Sequence, residues 1–206
     1  MPGTTTQTER GRRLPRVERV EQLLDVAQAV FAEQGYDGSS IERIARVAGI
    51  SRPIVYEHFG SKDGIYLACL RRARSQLDRA LATAVEGVDD LEQRLAAGIG
   101  ACFSFIEEDP QRWSVLFNGV ALTGPVAAEA TQLRSATVAA IADMIQAARP
   151  RAPRRQVEAF ANALSGASEQ LERWWRLNPD MSRDEVAGYL HDFAWRGLSQ
   201  FRDGDA

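Results

Sequence analysis

The sequence predicts an all-α protein of about nine helices, on three observations. Apolar residues recur at three- and four-residue spacing in almost every long segment, as in Val17, Val20, Leu23, Leu24, Ala27, Val30 and Phe31. No segment shows strand-like alternation long enough to build a sheet. Turn-forming stretches such as Gly87-Val88-Asp89-Asp90, Asp109-Pro110 and Gly124-Pro125 punctuate the chain at helix-length intervals. A hydrophobic share of 45% in 206 residues supports a packed core, and the length suits one or two domains.

The elements follow in order. Residues 1–15 are polar and arginine-rich and are expected to be a disordered basic arm. A first helix runs from Val17 and ends at Gly35, which suits the residue after a helix C-cap. Ser39 and Glu42 have the spacing of a capping box, opening a second helix with Ile41, Ile44, Ala45 and Ala48 on its apolar side. Gly49 supplies a turn, Ser51 a cap, and Pro53 fits the first turn of a third helix. Ser61 caps a long fourth helix through about Ala84. The fifth carries Leu91, Leu95, Ile99, Phe103 and Ile106, and a short sixth lies near Gln111–Asn118. A seventh reaches about Ala148, and Pro150 and Pro153 bound the next turn. The eighth spans about Arg154–Arg176. Ser182 and Glu185 open the ninth, which carries Val186, Leu190, Ala194 and Leu198.

Residues 39–62 carry most of the functional signal. Two short helices joined by a glycine turn, the second about 12 Å long, make a helix-turn-helix whose second helix fits the DNA major groove. Ile54, Val55 and Phe59 face inward, leaving Arg52, Tyr56, Glu57 and His58 at or near the surface. Arg52 is the first candidate for base reading, because its planar fork suits guanine O6 and N7. Lys62 adds charge at a helix N-terminus, where backbone N–H groups already favour an anion. Arg43 and Arg46 lie on the helix that crosses the DNA backbone.

Residues 16–67 resemble the DNA-binding domain of the TetR family of transcriptional regulators. The resemblance runs through Phe31, Gly35-Tyr36, Ile44-Ala45, Ala48-Gly49-Ile50-Ser51, Val55-Tyr56, His58-Phe59 and Ser61-Lys62-Asp63. It implies a helix-turn-helix domain over 16–64 and a ligand-binding and dimerisation domain over 65–206. It also implies a homodimer on a palindromic operator in double-stranded DNA, with Ser40, Tyr56, His58 and Lys62 on phosphates. Arg43, Ser51, Arg52 and Pro53 complete the candidate DNA-binding set. The family often has an acidic residue where Arg43 stands, which leaves the second helix's cap between Ser39 and Ser40. Gly64 stands where a better helix former is usual, so the fourth helix is expected to start loosely.

The second domain gives weaker signals. Cys102, Phe103, Ile106, Trp113, Phe117, Met144, Asn162 and Glu169 are candidates to line an effector site, whose ligand is expected to be small and lipophilic. The six apolar ones serve equally well as core. The last two helices carry small residues (Ala163, Gly166, Ala167, Gly197) beside large aromatics (Trp174, Trp175, Phe193, Phe201). That is too much aromatic surface for a monomer's outer helices, and the resemblance puts the subunit interface there.

Charge is uneven. Residues 1–84 hold 13 Lys/Arg and 10 Asp/Glu, a net +3, against 12 and 18, a net −6, over 85–206. A positive DNA-facing half and a negative body orient the protein on DNA. No run is long and apolar enough for a membrane helix and no export segment opens the chain, so a cytoplasmic protein without a membrane partner is expected. Two isolated histidines, two isolated cysteines and no nucleophile or phosphate-loop motif argue against an enzyme, a metal or a cofactor. The reading is a ligand-released homodimeric repressor. An activator of the same fold is the nearest alternative, and a helical enzyme or structural dimer the more distant ones.

Overall fold

A computed structural model describes residues 15–117 and 124–200. The basic arm through residue 14, the end of the sixth helix at Asn118 and the interface candidate Phe201 lie outside them. Among the described residues the order is α1 (Arg16–Gly38), α2 (Ile41–Val47), α3 (Arg52–Phe59), α4 (Lys62–Val85), α5 (Leu91–Glu108), α6 (Pro110–Phe117), α7 (Gly124–Ala148), α8 (Arg154–Arg176) and α9 (Arg183–Leu198). There is no strand among them.

The caps explain most boundaries. Gly35 at φ 69° interrupts α1, so its last turn is set off from the main helix. The cap of α2 is Ser40, whose hydroxyl accepts from Arg43 N at 3.2 Å. Ser39 instead donates its hydroxyl to Tyr36 O at 2.6 Å, so the expected Ser39–Glu42 box does not form. Ser61 accepts from Gly64 N, Asp90 from Gln93 N, and Ser182 forms the full box with Glu185.

Gly64 is no loose start. A Cβ there would lie 1.9 Å from the Phe59 carbonyl oxygen. Glycine lets the first turn of α4 pass directly over the end of α3, fixing the angle between them. A better helix former would gain about 1 kcal/mol of propensity but would force the backbone apart.

Two apolar cores share elements. The N-terminal one joins Leu23, Val30, Ile44, Val55, Ile65 and Leu70 with Val115 of α6 and Val126 of α7. The second joins Leu77 of α4 and Trp113 and Phe117 of α6 to α5, α7, α8 and α9. Helices α4 and α6 therefore put side chains into both cores. Polar ties run alongside: Gln28 donates to Asp109 at 3.1 Å, and Arg72 reaches Asp25 at 2.8 Å. The shared apolar packing and these ties together set how α1–α3 sit on the rest.

Candidate functional site

The turn between α2 and α3 is locked by its backbone. Ile50 N donates to Ala45 O at 3.0 Å and Gly49 N to Arg46 O at 3.2 Å, with Gly49 at φ 68°. This is the Schellman arrangement, and only glycine adopts that φ without strain. Ala45 and Ile44 lie buried beneath, and Val55 of α3 is fully buried against that core. One face of α3 is thereby held, and Arg52, Pro53, Tyr56 and Glu57 stay exposed on the other. Ile54 and Phe59 are half-buried at its edge.

The eight candidate DNA residues separate by environment. Arg52, at the first turn of α3, is exposed and ion-paired to Glu42 of α2 at 2.7 Å. Ser51 occupies the cap position but makes no side-chain capping bond, so the cap expected from its hydroxyl is absent. Tyr56 is 49% exposed. His58 is half-buried, its ring 6.2 Å from that of Phe59. Ser40 is used as the α2 cap, and Arg43 is half-buried with its Nε buried and lacking a hydrogen-bond partner. Lys62 Nζ sits 4.3 Å over the Tyr36 ring and 3.5 Å from Asp37 O.

Two contacts here have partners far apart in sequence and were not legible in it. Tyr36 donates its hydroxyl to Asp63, clamping the end of α1 to the start of α4. Burial first, and then that bond, push the Tyr36 phenol up to about 12. The other is Glu42, whose carboxyl lies below its usual range because Arg52 bonds it, helped by its own N–H and Ser40.

A groove of about 820 Å³ lies between α7 and α8, walled also by Tyr66 of α4 and by Val115 and Leu116 of α6. Asn162 and Glu169 line it, as do Arg134, Thr131, Ser135, Arg154, Glu158 and Ser165. Burial raises the Glu169 carboxyl pKa, opposed by Arg134, whose guanidinium is 3.7 Å away. Asn162 donates to Glu158 O at 2.8 Å on its own helix. Cys102, Phe103, Ile106, Trp113, Phe117 and Met144 are not among the described walls. They belong to or pack against the second core: the Trp113 ring lies tilted 4.0 Å from that of Phe117, and Phe103 meets Trp175 edge-on at 5.7 Å. Burial pushes the Cys102 thiol up to about 12.

The outer face of α8 and α9 is mostly apolar, with Asp192 and Arg196 also lining it. A depression of about 680 Å³ is lined by Phe160, Ala163, Tyr189, Phe193 and Gly197. Phe193 is 66% and Trp174 40% exposed. Gly197 is explained within the subunit, since a Cβ would lie 3.3 Å from the Phe160 ring, whereas one at the exposed Gly166 would meet nothing. Ala167 packs against the core, and Trp175 turns inward with its indole N–H on Met181 O at 2.9 Å. Trp175 therefore contributes to its own subunit's packing.

Among the described residues no group of three or more His, Cys, Asp or Glu could hold a metal ion, and no helix is long and apolar enough to cross a membrane. The family model described as bacterial regulatory proteins, tetR family, matches residues 23–69. The model described as tetracyclin repressor-like, C-terminal domain, matches residues 91–197. The chain is 37% identical over 193 residues to the HTH-type transcriptional activator FasR of Mycolicibacterium smegmatis, covering 92% of this chain and 87% of that one. A TetR-like transcriptional regulator from Rhodococcus sp. RHA1 superposes with a TM-score of 0.78 at 29% identity, covering 91% of this chain and 100% of that one. A tetR-family regulator from Streptomyces coelicolor gives 0.72 at 26%, covering 90% and 82%. Helix-turn-helix geometry at one end, a matching helical domain at the other and this full-length similarity give one conclusion: the chain belongs to the TetR family of DNA-binding transcriptional regulators.

Proposed function

We propose that the protein acts as a homodimer on a palindromic operator, and that a small effector in the α7–α8 groove weakens its hold on DNA. Residues 16–64 would grip DNA, while residues 65–206 would bind the effector and the partner subunit. The observation that carries the effector reading is the reach of the groove. Its walls include Tyr66, which belongs to the N-terminal core, and Glu169, far along α8. An occupant touching both can favour one arrangement of the two cores over another.

The groove's walls refine the expected ligand. Val115, Leu116, Val138 and Ala142 offer apolar surface, while Arg134, Glu169 and Asn162 offer hydrogen bonds and charge. An amphipathic molecule fits better than a wholly lipophilic one. By linkage, a compound that weakens DNA binding must itself bind the DNA-bound protein more weakly by the same factor.

The direction of regulation follows the relative that matches along almost the whole chain, whose name is that of an activator. Transcription from a promoter carrying the protein's binding site should rise when the protein is added. It should fall back when an amphipathic compound, selected by thermal shift, is present. A fall on adding protein alone would establish the repressor instead. No effect of any stabilising compound on DNA affinity would remove the effector role.

A further inference from the structure

Glu42 sits beside the recognition helix, yet it carries a charge that DNA phosphates repel. Its Oε1 accepts from Arg52 Nη1 at 2.7 Å, and the two side chains are 54% and 60% exposed. A pair this exposed adds little to stability. An acid in the first turn of α2 does favour the helix dipole, and that role alone would leave base preference untouched. The geometry does more than cap a helix. It ties the most exposed cation at the start of α3 to a carboxylate across the turn, and the Nε–Nη2 edge of that guanidinium makes no hydrogen bond among the described residues.

We propose that Glu42 is a specificity-determining residue that holds Arg52 off phosphates and aims its Nε–Nη2 edge at a guanine in each operator half-site. This rests on the assignment of base reading to Arg52. Guanine can take the open edge through O6 and N7 while the ion pair persists. A phosphate has to compete with the carboxylate for the same cation, so complexes with the wrong sequence lose Arg52's charge. The ion pair also biases the long arginine side chain toward one placement before DNA arrives, which lowers the cost of ordering it on binding. Its own backbone N–H and Ser40 also favour the charged form of the carboxylate, which keeps it available to Arg52.

The test uses the full chain and a pool of synthetic duplexes randomised over two half-sites, with bound sequences recovered and then titrated singly at several salt concentrations. Wild type should select a guanine at one fixed position of each half-site. Glu42→Gln keeps the side-chain shape but loses the charge. It should bind non-selected DNA more tightly, with a salt slope steeper by about one unit per subunit as Arg52 turns to phosphate. Its preference for that guanine should fall about tenfold. A purely structural loss would weaken both kinds of binding together, which overturns the proposal. Arg52→Ala should lose the same preference, and adding Glu42→Gln to it should cost no more. Lys62→Ala, at a position the family resemblance puts on a phosphate, should weaken all sequences alike and lower the slope by about one unit. If Arg52→Ala loses the guanine and Glu42→Gln keeps it, with its slope unchanged, the role given to Glu42 is wrong. If Arg52→Ala keeps it, the base-reading assignment fails first.

Discussion

Replacing Trp113 by alanine is expected to destabilise the protein by about 3–5 kcal/mol, a large fraction of the roughly 5–15 kcal/mol that a domain has. The indole is 2% exposed, lies tilted 4.0 Å from the Phe117 ring, and sits in the core shared by α4, α5, α6, α7, α8 and α9. Its removal would leave a cavity that packed helices fill only in part. Its N–H also lies near the buried Glu172 carboxyl, close enough to lower its pKa, without hydrogen-bond alignment. Burial is the larger influence and raises that pKa, and the nearest cation is Arg176 Nε at 2.7 Å. Losing Trp113 would thus also strip a polar neighbour from a buried acid. Thermal unfolding should show a midpoint lower by roughly 10 °C or more, with Trp113→Phe far milder. A near-normal midpoint combined with an altered effector response would put Trp113 on a ligand pocket instead.

Replacing Phe193 by glutamate is expected to convert a dimer into a monomer. The ring is 66% exposed in the single subunit, on a face with Tyr189 and the depression bounded by Ala163 and Gly197. Burying a phenylalanine is worth about 1.5–3 kcal/mol. A two-fold axis would apply each change twice, and glutamate would place a desolvated charge on both sides. Because the side chain points out of its own subunit, helical content and thermal unfolding of the single chain should change little. Sedimentation at micromolar concentration should give a dimer for wild type and a monomer for the variant, and DNA affinity should fall with it. A wild-type monomer would rule out this face as the subunit contact.

Local signals in the chain were legible because their causes are local. Arg154–Arg176 is the extent read for α8, bounded by Pro153 and the Asn178-Pro179 turn. The Ser182–Glu185 box and the Gly49 turn likewise need only neighbours a few residues away. The cap of α2 stays open in the sequence between Ser39 and Ser40 because two serines stand together and only packing chooses Ser40.

Six of the eight candidate effector residues lie in or against the second core, while Asn162 and Glu169 line the groove. Six apolar side chains at helical spacing look alike whether they fill a core or line a cavity, and the core has them. The groove walls also include small and polar residues of α7, such as Thr131, Arg134 and Ser135, whose sequence carries no pocket signal. Glu42 was read as a cap partner because that needs only a three-residue spacing. Its actual partner, Arg52, lies across a turn. That α4 and α6 serve two cores is a fact of packing, invisible in their periodicity.

The claim that two copies of this chain read DNA together is tested most directly by titrating the full-length protein with a duplex recovered from the random pool, then with the same duplex after one half-site is scrambled. Recognition helices presented by a two-fold dimer match major-groove turns about 34 Å apart. Two chains, or a multiple of two, should bind per intact duplex, and affinity should collapse toward non-specific binding when either half-site is lost. One chain bound per duplex, with affinity unchanged by scrambling, would contradict it.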